Sequence, residues 1–430
     1  MSGRRKLLLG LSGLVVVAGL TAAAVWLLRS PDPVVQGPGA PKGKWHPLRG
    51  HRPAGRTAEQ ARLETLPYLS GYKPAPEMRG VTVYKRGQAH DGYNLIFSGH
   101  GTEVTLMDME GRVVHRWSMS YAEARRREPA LPRPVPGPPW SFRRGYLYRD
   151  GHLLAIYGGF GVIKLDRDSR LVWAFNKPAH HDLFVDPEGQ IHVLTRRARV
   201  VKRINETEPV LLDYLSVLSP DGQLVRETAL LEAFERSEHR RFLEPMKRKG
   251  DIFHTNTVEV LDGRHAERSP VFSRGNVLIS VRQLDVVAIL DPDQRKIVWA
   301  ASRGWRRQHD PLLLESGNML VFDNLGDGGK SRVIEFDPLT GEVAWTYDNR
   351  EGRVLSTDEC GAVHRLPNGN TLIVESLNGR AIEVTRDKRI VWEYYNPHRA
   401  GAQGKLIATL FDVIRIDPVY LESWLGSVQK

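Results

Sequence analysis

GNVLISVRQLDVVAILDPDQRKIVW, residues 275–299, decides how the rest of the chain is read. A Gly-Asn turn opens an apolar run of strand length, a short polar gap leads to a second run, and an Asp-containing turn then gives way to an apolar pair and a tryptophan. The pattern recurs along the sequence. Apolar strands follow turns of this kind at Asn94–Phe97, His152–Tyr157, Gln190–Leu194, Asn276–Val281, Asn318–Asp323 and Asn370–Glu375. The later element ends at Trp117, Trp173, Trp299, Trp345 and Trp392, with Thr228 standing in the third unit where the aromatic is due. The last three tryptophans are 46 and 47 residues apart, a length that suits a four-stranded blade. Six units predict an all-β fold, a six-bladed β-propeller, with the tryptophans packed between neighbouring blades rather than stacked on a ligand.

Composition sets the limits. The 430 residues carry 61 Lys and Arg against 50 Asp and Glu, a formal charge of +11. The chain has no recognition-helix, RNP-type or zinc-finger pattern, so the charge is assigned to a solvated surface, to anionic headgroups and to steering of anionic small molecules, not to nucleic acid. The single cysteine, Cys360, excludes an internal disulfide.

Five regions follow. Residues 1–6 form a basic end and residues 7–28 an uncharged apolar run, about 33 Å long as a helix and so able to cross a bilayer core of about 30 Å. The basic end predicts a cytoplasmic N-terminus and an extracytoplasmic propeller, periplasmic in a Gram-negative cell. A signal peptide processed near Ala22–Ala24 is the competing reading. Residues 29–80 are a Pro/Gly-rich linker and docking segment, 81–417 the propeller, and 418–430 a helical tail. Within the propeller, Glu123–Pro139 reads as an irregular crossing and Leu230–Lys249 as a charged amphipathic helix, a candidate lid. Leu410–Asp417 reads as one more strand, closing the ring by completing a blade with an outer partner.

Aligning the repeats on Gly189, Gly317 and Gly369 matches His181 with His309 and Asp182 with Asp310, and His254 falls at the same station in the fourth unit. Three blades thus aim an imidazole at one mouth of the channel. Counting six residues past each turn gives a second ring: His100, Gly158, Arg196, Arg282, Asn324 and Ser376. Antiparallel pairing puts Arg282 beside His254 and Asn324 beside His309. Clustered imidazoles and guanidinia in a concavity suit a tetrahedral oxyanion, held by its nonbridging oxygens, with a neutral imidazole able to act as nucleophile. Three imidazoles also suit zinc, but Arg282 disfavours a dication, so no metal is expected.

At these residues the chain resembles the bacterial arylsulfotransferases. The matching stretches are HHDLFVDPEG, DIFHTNTVEVL with VLISVRQLD, QHDPLLLESGNMLVFDN, and LPNGNTLIVES with IVWEY, in order between Gly92 and Pro397. The resemblance implies ping-pong transfer of a sulfuryl group from an aryl sulfate ester to a phenolic acceptor, with no nucleotide donor and no cofactor. It makes His309 the transiently sulfurylated nucleophile, His254, Asn256 and Arg282 the binders of the sulfuryl oxygens, and His181 the remaining pocket histidine. Arg196, Asn324 and Asp310 join as further substrate-binding groups. The chain departs from the pattern in lacking a disulfide and in the insertion Gly263–Arg274, which lengthens the step from His254 to Arg282. The alternative is a noncatalytic, membrane-tethered propeller serving as a binding scaffold, which would show exposed aromatics on one face and need no converging His and Arg.

Overall fold

A computed structural model describes residues 73–74, 76–131, 141–350, 353–400 and 402–426. The expected membrane segment, residues 7–28, lies outside them, and among the described residues no helix is long and apolar enough to cross a membrane.

Six antiparallel sheets form the blades of the propeller, and in each the strands run in order from the innermost outwards. Blade 1 is Leu410–Ile416, Tyr93–Ser98, Glu103–Met107 and Val113–Ser118. Blade 2 is Phe142–Leu147, Leu153–Tyr157, Gly161–Leu165 and Leu171–Phe175. Blade 3 is Ala179–Val185, Ile191–Arg199, Val210–Leu218 and Leu224–Ala229. Blade 4 is Thr255–Val260, Val277–Val281, Val286–Asp291 and Lys296–Ala301, and blade 5 is His309–Leu313, Met319–Asp327, Lys330–Phe336 and Val343–Tyr347. Blade 6 is Ala362–Arg365, Thr371–Glu375, Arg380–Val384 and Ile390–Tyr395, with Gly80–Tyr84 as a fifth, outer strand.

The near-continuous apolar runs have a simple cause: both faces of every blade are covered by a neighbour. In Val277–Val281 all five residues are buried. Side chains alternate across a strand, so Val277, Ile279 and Val281 pack towards blade 3 while Leu278 packs towards blade 5. Each of the six blade interfaces has its own apolar cluster built this way.

Three expectations are corrected. Leu410–Ile416 is the innermost strand of blade 1, paired with Tyr93–Ser98, not an outer partner, so an early and a late strand of the propeller meet in one sheet and close the ring there. The stretch expected to be irregular begins with a helix, Tyr121–Arg127, because Ser120 caps it by accepting from the Glu123 amide and its last turn is basic. Its proline run lies outside the described residues. Leu230–Lys249 is not one amphipathic helix: a helix of six residues, Leu230–Glu235, buries Leu230, Leu231, Ala233 and Phe234 against the third strand of blade 3 and the outer strand of blade 4. Apolar side chains on that scale hold it as wall, not lid. Residues Arg240–Leu243 then form a separate 3-10 turn.

The tryptophans sit where the repeat predicts. From the fourth strand of their blades, Trp117, Trp345 and Trp392 each reach a turn of the next. Trp117 Nε1 donates to Gly151 O at 2.9 Å, Trp345 Nε1 to Arg386 O at 2.9 Å and Trp392 Nε1 to Met109 O at 3.0 Å. Trp173 lies flat against Gly222, where a Cβ would come within 2.7 Å of its ring. The C-terminal helix Pro418–Leu425 adds Trp424 to the contact between blades 1 and 2, its ring 5.7 Å from that of Trp117.

Gly222 and Gly275 share a left-handed backbone, φ 84° and 86°, but a Cβ at Gly275 meets no atom within 4 Å. Gly275→Ala should therefore lose only the left-handed strain, about 1–2 kcal/mol, whereas Gly222→Ala adds an overpacking cost of about 1–3 kcal/mol. Denaturant unfolding of the two variants measures the gap, and equal losses would show that the indole does not press on the turn.

Candidate functional site

The innermost strands of blades 2 to 5 all open on a bulge. Register shifts separate Phe142 from Gly145, Ala179 from Leu183, Thr255 from Thr257 and His309 from Leu312. A bulge re-aims the side chains around it. His181 and His254 take left-handed backbone, φ 55° and 51°, which side chains with a Cβ rarely adopt. Such local strain is held in place by surrounding structure and gathers at functional sites.

The result is convergence. His181, Asn256 and His309 line one narrow cavity together with Arg143, Arg144, Cys360, Gly361 and Phe411. The ring of His254 lies against that of His181, centroids 4.7 Å apart. Despite the insertion between them, Arg282 follows the second strand of blade 4 at the level of His254, its amide directed at the His254 carbonyl at 3.4 Å.

Hydrogen bonds fix the tautomer of the key imidazole. Asn324 Nδ2 donates to the carbonyls of Thr357 at 2.7 Å and Cys360 at 2.6 Å, which orients its amide. Asn324 Oδ1 must then accept, and it lies 2.7 Å from His309 Nδ1, with the Arg307 carbonyl 2.9 Å from the same nitrogen. Two acceptors place the proton on Nδ1, so Nε2 of His309 carries a lone pair. His254 is held alike, its Nδ1–H donating to Asp251 Oδ2 at 2.8 Å. His181 shares a proton with His180, Nδ1 to Nδ1 at 2.8 Å, and His180 Nε2 is 3.6 Å from Asp213 Oδ1.

Electrostatics keep these rings neutral. Burial holds His309 well below the usual histidine range, and the Arg282 charge pushes it further. His181 is lowered by burial and then by Arg143. His254 is brought down to about 4 by burial, against the opposing pull of Asp251. The site therefore offers uncharged imidazole nitrogens beside fixed guanidinium charge, a setting suited to an anion.

Not every expected residue meets the cavity. His181, His309 and Asn256 line it, with His254 against His181 and Arg282 beside His254. Asn324 stands behind His309 as its support. Arg196 is 1% exposed and lies behind the pocket, where its charge acts on His180, Asp213 and Asp251. Asp310 has both oxygens engaged, accepting from Arg144 at 2.6 Å and from the Val363 amide at 2.9 Å. Sequence reasoning missed Arg143, His180 and Asp251. A signal for Arg143 was present: the pair Arg143-Arg144 opens the innermost strand of blade 2 as His180-His181 opens that of blade 3.

A family profile described as "Arylsulfotransferase (ASST)" matches residues 147–397, more than half of the chain. No curated protein matches the sequence. Similar solved structures include a protein of unknown function from Bacteroides caccae, 12% identical, covering 74% of this chain and 99% of that one at a TM-score of 0.49. A streptogramin B lyase, 13% identical, covers 79% of this chain and 92% of its own at 0.43. A virginiamycin B lyase from Staphylococcus aureus, 10% identical, covers 79% and 97% at 0.42. At such identities and scores these structures carry no functional argument.

Asp251 raises the affinity of His254 for a proton, so removing its charge should lower it. Histidine NMR should give His254 a titration midpoint near 4, and Asp251→Asn should move it lower still; a wild-type midpoint at the ordinary value of about 6.5 would contradict the buried setting. The stability linkage has a definite sign. With its folded pKa below the unfolded one, neutral His254 contributes stability above about pH 6.5 that is lost as pH falls towards 4.

Proposed function

The chain belongs to the arylsulfotransferase family, and from that premise we propose that it moves a sulfuryl group from an aryl sulfate ester to a phenolic acceptor through a covalent adduct on His309, without a nucleotide donor. In the first half, the Nε2 lone pair of His309 attacks sulfur, the sulfur–oxygen bond to the ring breaks, and a phenolate leaves. In the second half, the acceptor phenol gives up its proton and its oxygen attacks sulfur, the nitrogen–sulfur bond breaks, and the neutral imidazole returns. We assign proton transfer at the departing and attacking oxygens to His181 and His254, which are neutral at rest and must take up a proton before giving one. A phenol ionises near 10, so this transfer is part of the barrier.

The observation that carries the reading is the bonding of His309 Nδ1. As sulfur bonds to Nε2 the ring acquires positive charge, and the acceptors already on Nδ1, Asn324 Oδ1 at 2.7 Å and Arg307 O at 2.9 Å, bind that charged ring better than the neutral one. Support of this kind acts on the transition state more than on the resting enzyme. Arg282, Arg143 and Asn256 are the groups that would face the sulfuryl oxygens, whose charge must be held while sulfur passes between nucleophile and leaving group.

Incubation with a chromogenic aryl sulfate, followed by intact mass, tests the scheme. The wild-type chain should release phenol and gain one sulfuryl group that a phenolic acceptor removes, while His309→Ala should release none and gain none. Asn324→Ala should form the adduct more slowly by about 10²-fold, the scale of losing one preorganised polar partner. A folded wild-type protein inert towards a broad donor panel would favour the scaffold reading, and an adduct surviving in His309→Ala would place the nucleophile elsewhere.

A further inference from the structure

A second cluster of ligand-type side chains stands at the junction of the first and last blades, made of residues that do not line the pocket. His100 follows the second strand of blade 1, Glu103 begins its third strand, and His398 lies in the segment that leads from blade 6 to the closing strand. One donor atom from each of the three lies within 4.8 Å of the others, the only such group among the described residues. His100 and His398 have ring centroids 3.4 Å apart with planes 5° from parallel, and His100 Nε2 is 3.7 Å from Glu103 Oε1.

From this geometry we propose that His100, Glu103 and His398 bind a divalent cation of the zinc class, clipping the ring where blade 1 meets the end of blade 6. Two imidazoles and a carboxylate are a common three-ligand set for such an ion, with water completing a tetrahedron. His100 Nδ1 is buried without a hydrogen-bond partner, a polar atom whose satisfaction is otherwise unaccounted for. Metal binding needs unprotonated imidazole, so occupancy should fall as the pH is lowered.

Two features set the terms of binding. Each nitrogen lone pair lies in its own ring plane, so the stacked rings must turn apart to share an ion; His100 and His398 are only partly buried, which leaves room to do so. Arg116 Nε lies 3.4 Å from Glu103 Oε1 and competes for the carboxylate, but its side chain is 56% exposed and can swing into solvent. The site already bridges the closure. Asn396 Nδ2 donates to Ser98 Oγ at 2.8 Å and to Ala408 O at 3.1 Å, so an ion there would reinforce a joint between blade 1 and the end of blade 6. This inference is independent of the sulfuryl-transfer reading.

Zinc titration of the metal-stripped full-length chain tests it, with calorimetry for stoichiometry and thermal unfolding for the effect on the fold. One equivalent should bind and raise the unfolding midpoint, because a ligand that binds only the folded state stabilises it. Glu103→Gln and His398→Asn should each weaken binding by about tenfold or more and abolish the rise, whereas His309→Ala should keep both. Glu103→Gln alters a partly exposed side chain and preserves its shape, so it reports on the site even if the His398 variant folds poorly. Absence of stoichiometric binding, binding unchanged in Glu103→Gln, or binding lost in His309→Ala would overturn the proposal, the last by assigning the ion to the imidazoles of the pocket.

Discussion

One guanidinium ties the centre of the ring together. Arg144, on the innermost strand of blade 2, donates to Asp412 of blade 1 at 2.7 Å and to Asp310 of blade 5 at 2.6 Å, and lies 3.8 Å from Asp182 of blade 3. His364 of blade 6 completes the belt, its Nε2 2.8 Å from Asp412 Oδ1. Buried ions are a poor source of net stability, because desolvation offsets most of their attraction, but removing one partner strands the rest at a loss of about 3–5 kcal/mol. The belt therefore acts as a register constraint. It is satisfied only when five innermost strands stand at matching heights.

The pocket inherits its geometry from that constraint. Asp182 and Asp310 also reach across to the next blades, accepting the amides of Val258 at 2.9 Å and Val363 at 2.9 Å. Each is the chain neighbour of a pocket histidine, His181 or His309. Fixing the carboxylate fixes the bulge, and the bulge aims the imidazole. Asp310, expected among the substrate-binding groups, has both oxygens engaged in this way and anchors Arg144 beside His309. The same logic separates Asn324 and Asp251 from the pocket histidines they hold. They set tautomers, Asn324 together with the Arg307 carbonyl at His309 and Asp251 at His254.

Much of this was legible because a propeller repeats its physics. Strands covered on both faces must be apolar throughout, so Asn276–Val281 and its counterparts announce themselves, and period-2 pairing lets Arg282 and Asn324 be placed beside His254 and His309 by counting. What escaped depends on distant partners. Glycine-keyed alignment favoured histidine openers and passed over Arg143 in blade 2. Asp251 precedes its strand and is placed by a short parallel pairing of Gly250–Asp251 with Val210–Leu211, which no local pattern encodes. The innermost position of Leu410–Ile416 is likewise a closure property, since its partner strand lies more than three hundred residues earlier. Leu230–Glu235 misled for another reason. Its charged flanks suggested amphipathicity, while tertiary burial selected only the short apolar segment.

In the proposed reaction, the arginines and the imidazoles oppose one another until substrate arrives. Arg282 lowers the proton affinity of His309 and His254, and Arg143 that of all three pocket histidines. That keeps the His309 lone pair available, but it also leaves His181 and His254 unprotonated in the resting pocket, with no imidazolium proton to give. A bound sulfate ester brings negative charge to the same guanidinia and cancels part of their field, and cancellation raises the proton affinity of the rings beside them. Protonation of the departing phenolate is thereby coupled to occupancy: the acid becomes competent when the anion is seated. A cavity with the same imidazoles and no arginine would lack that coupling, and one with ionised histidines would bind the ester but leave it without a nucleophile.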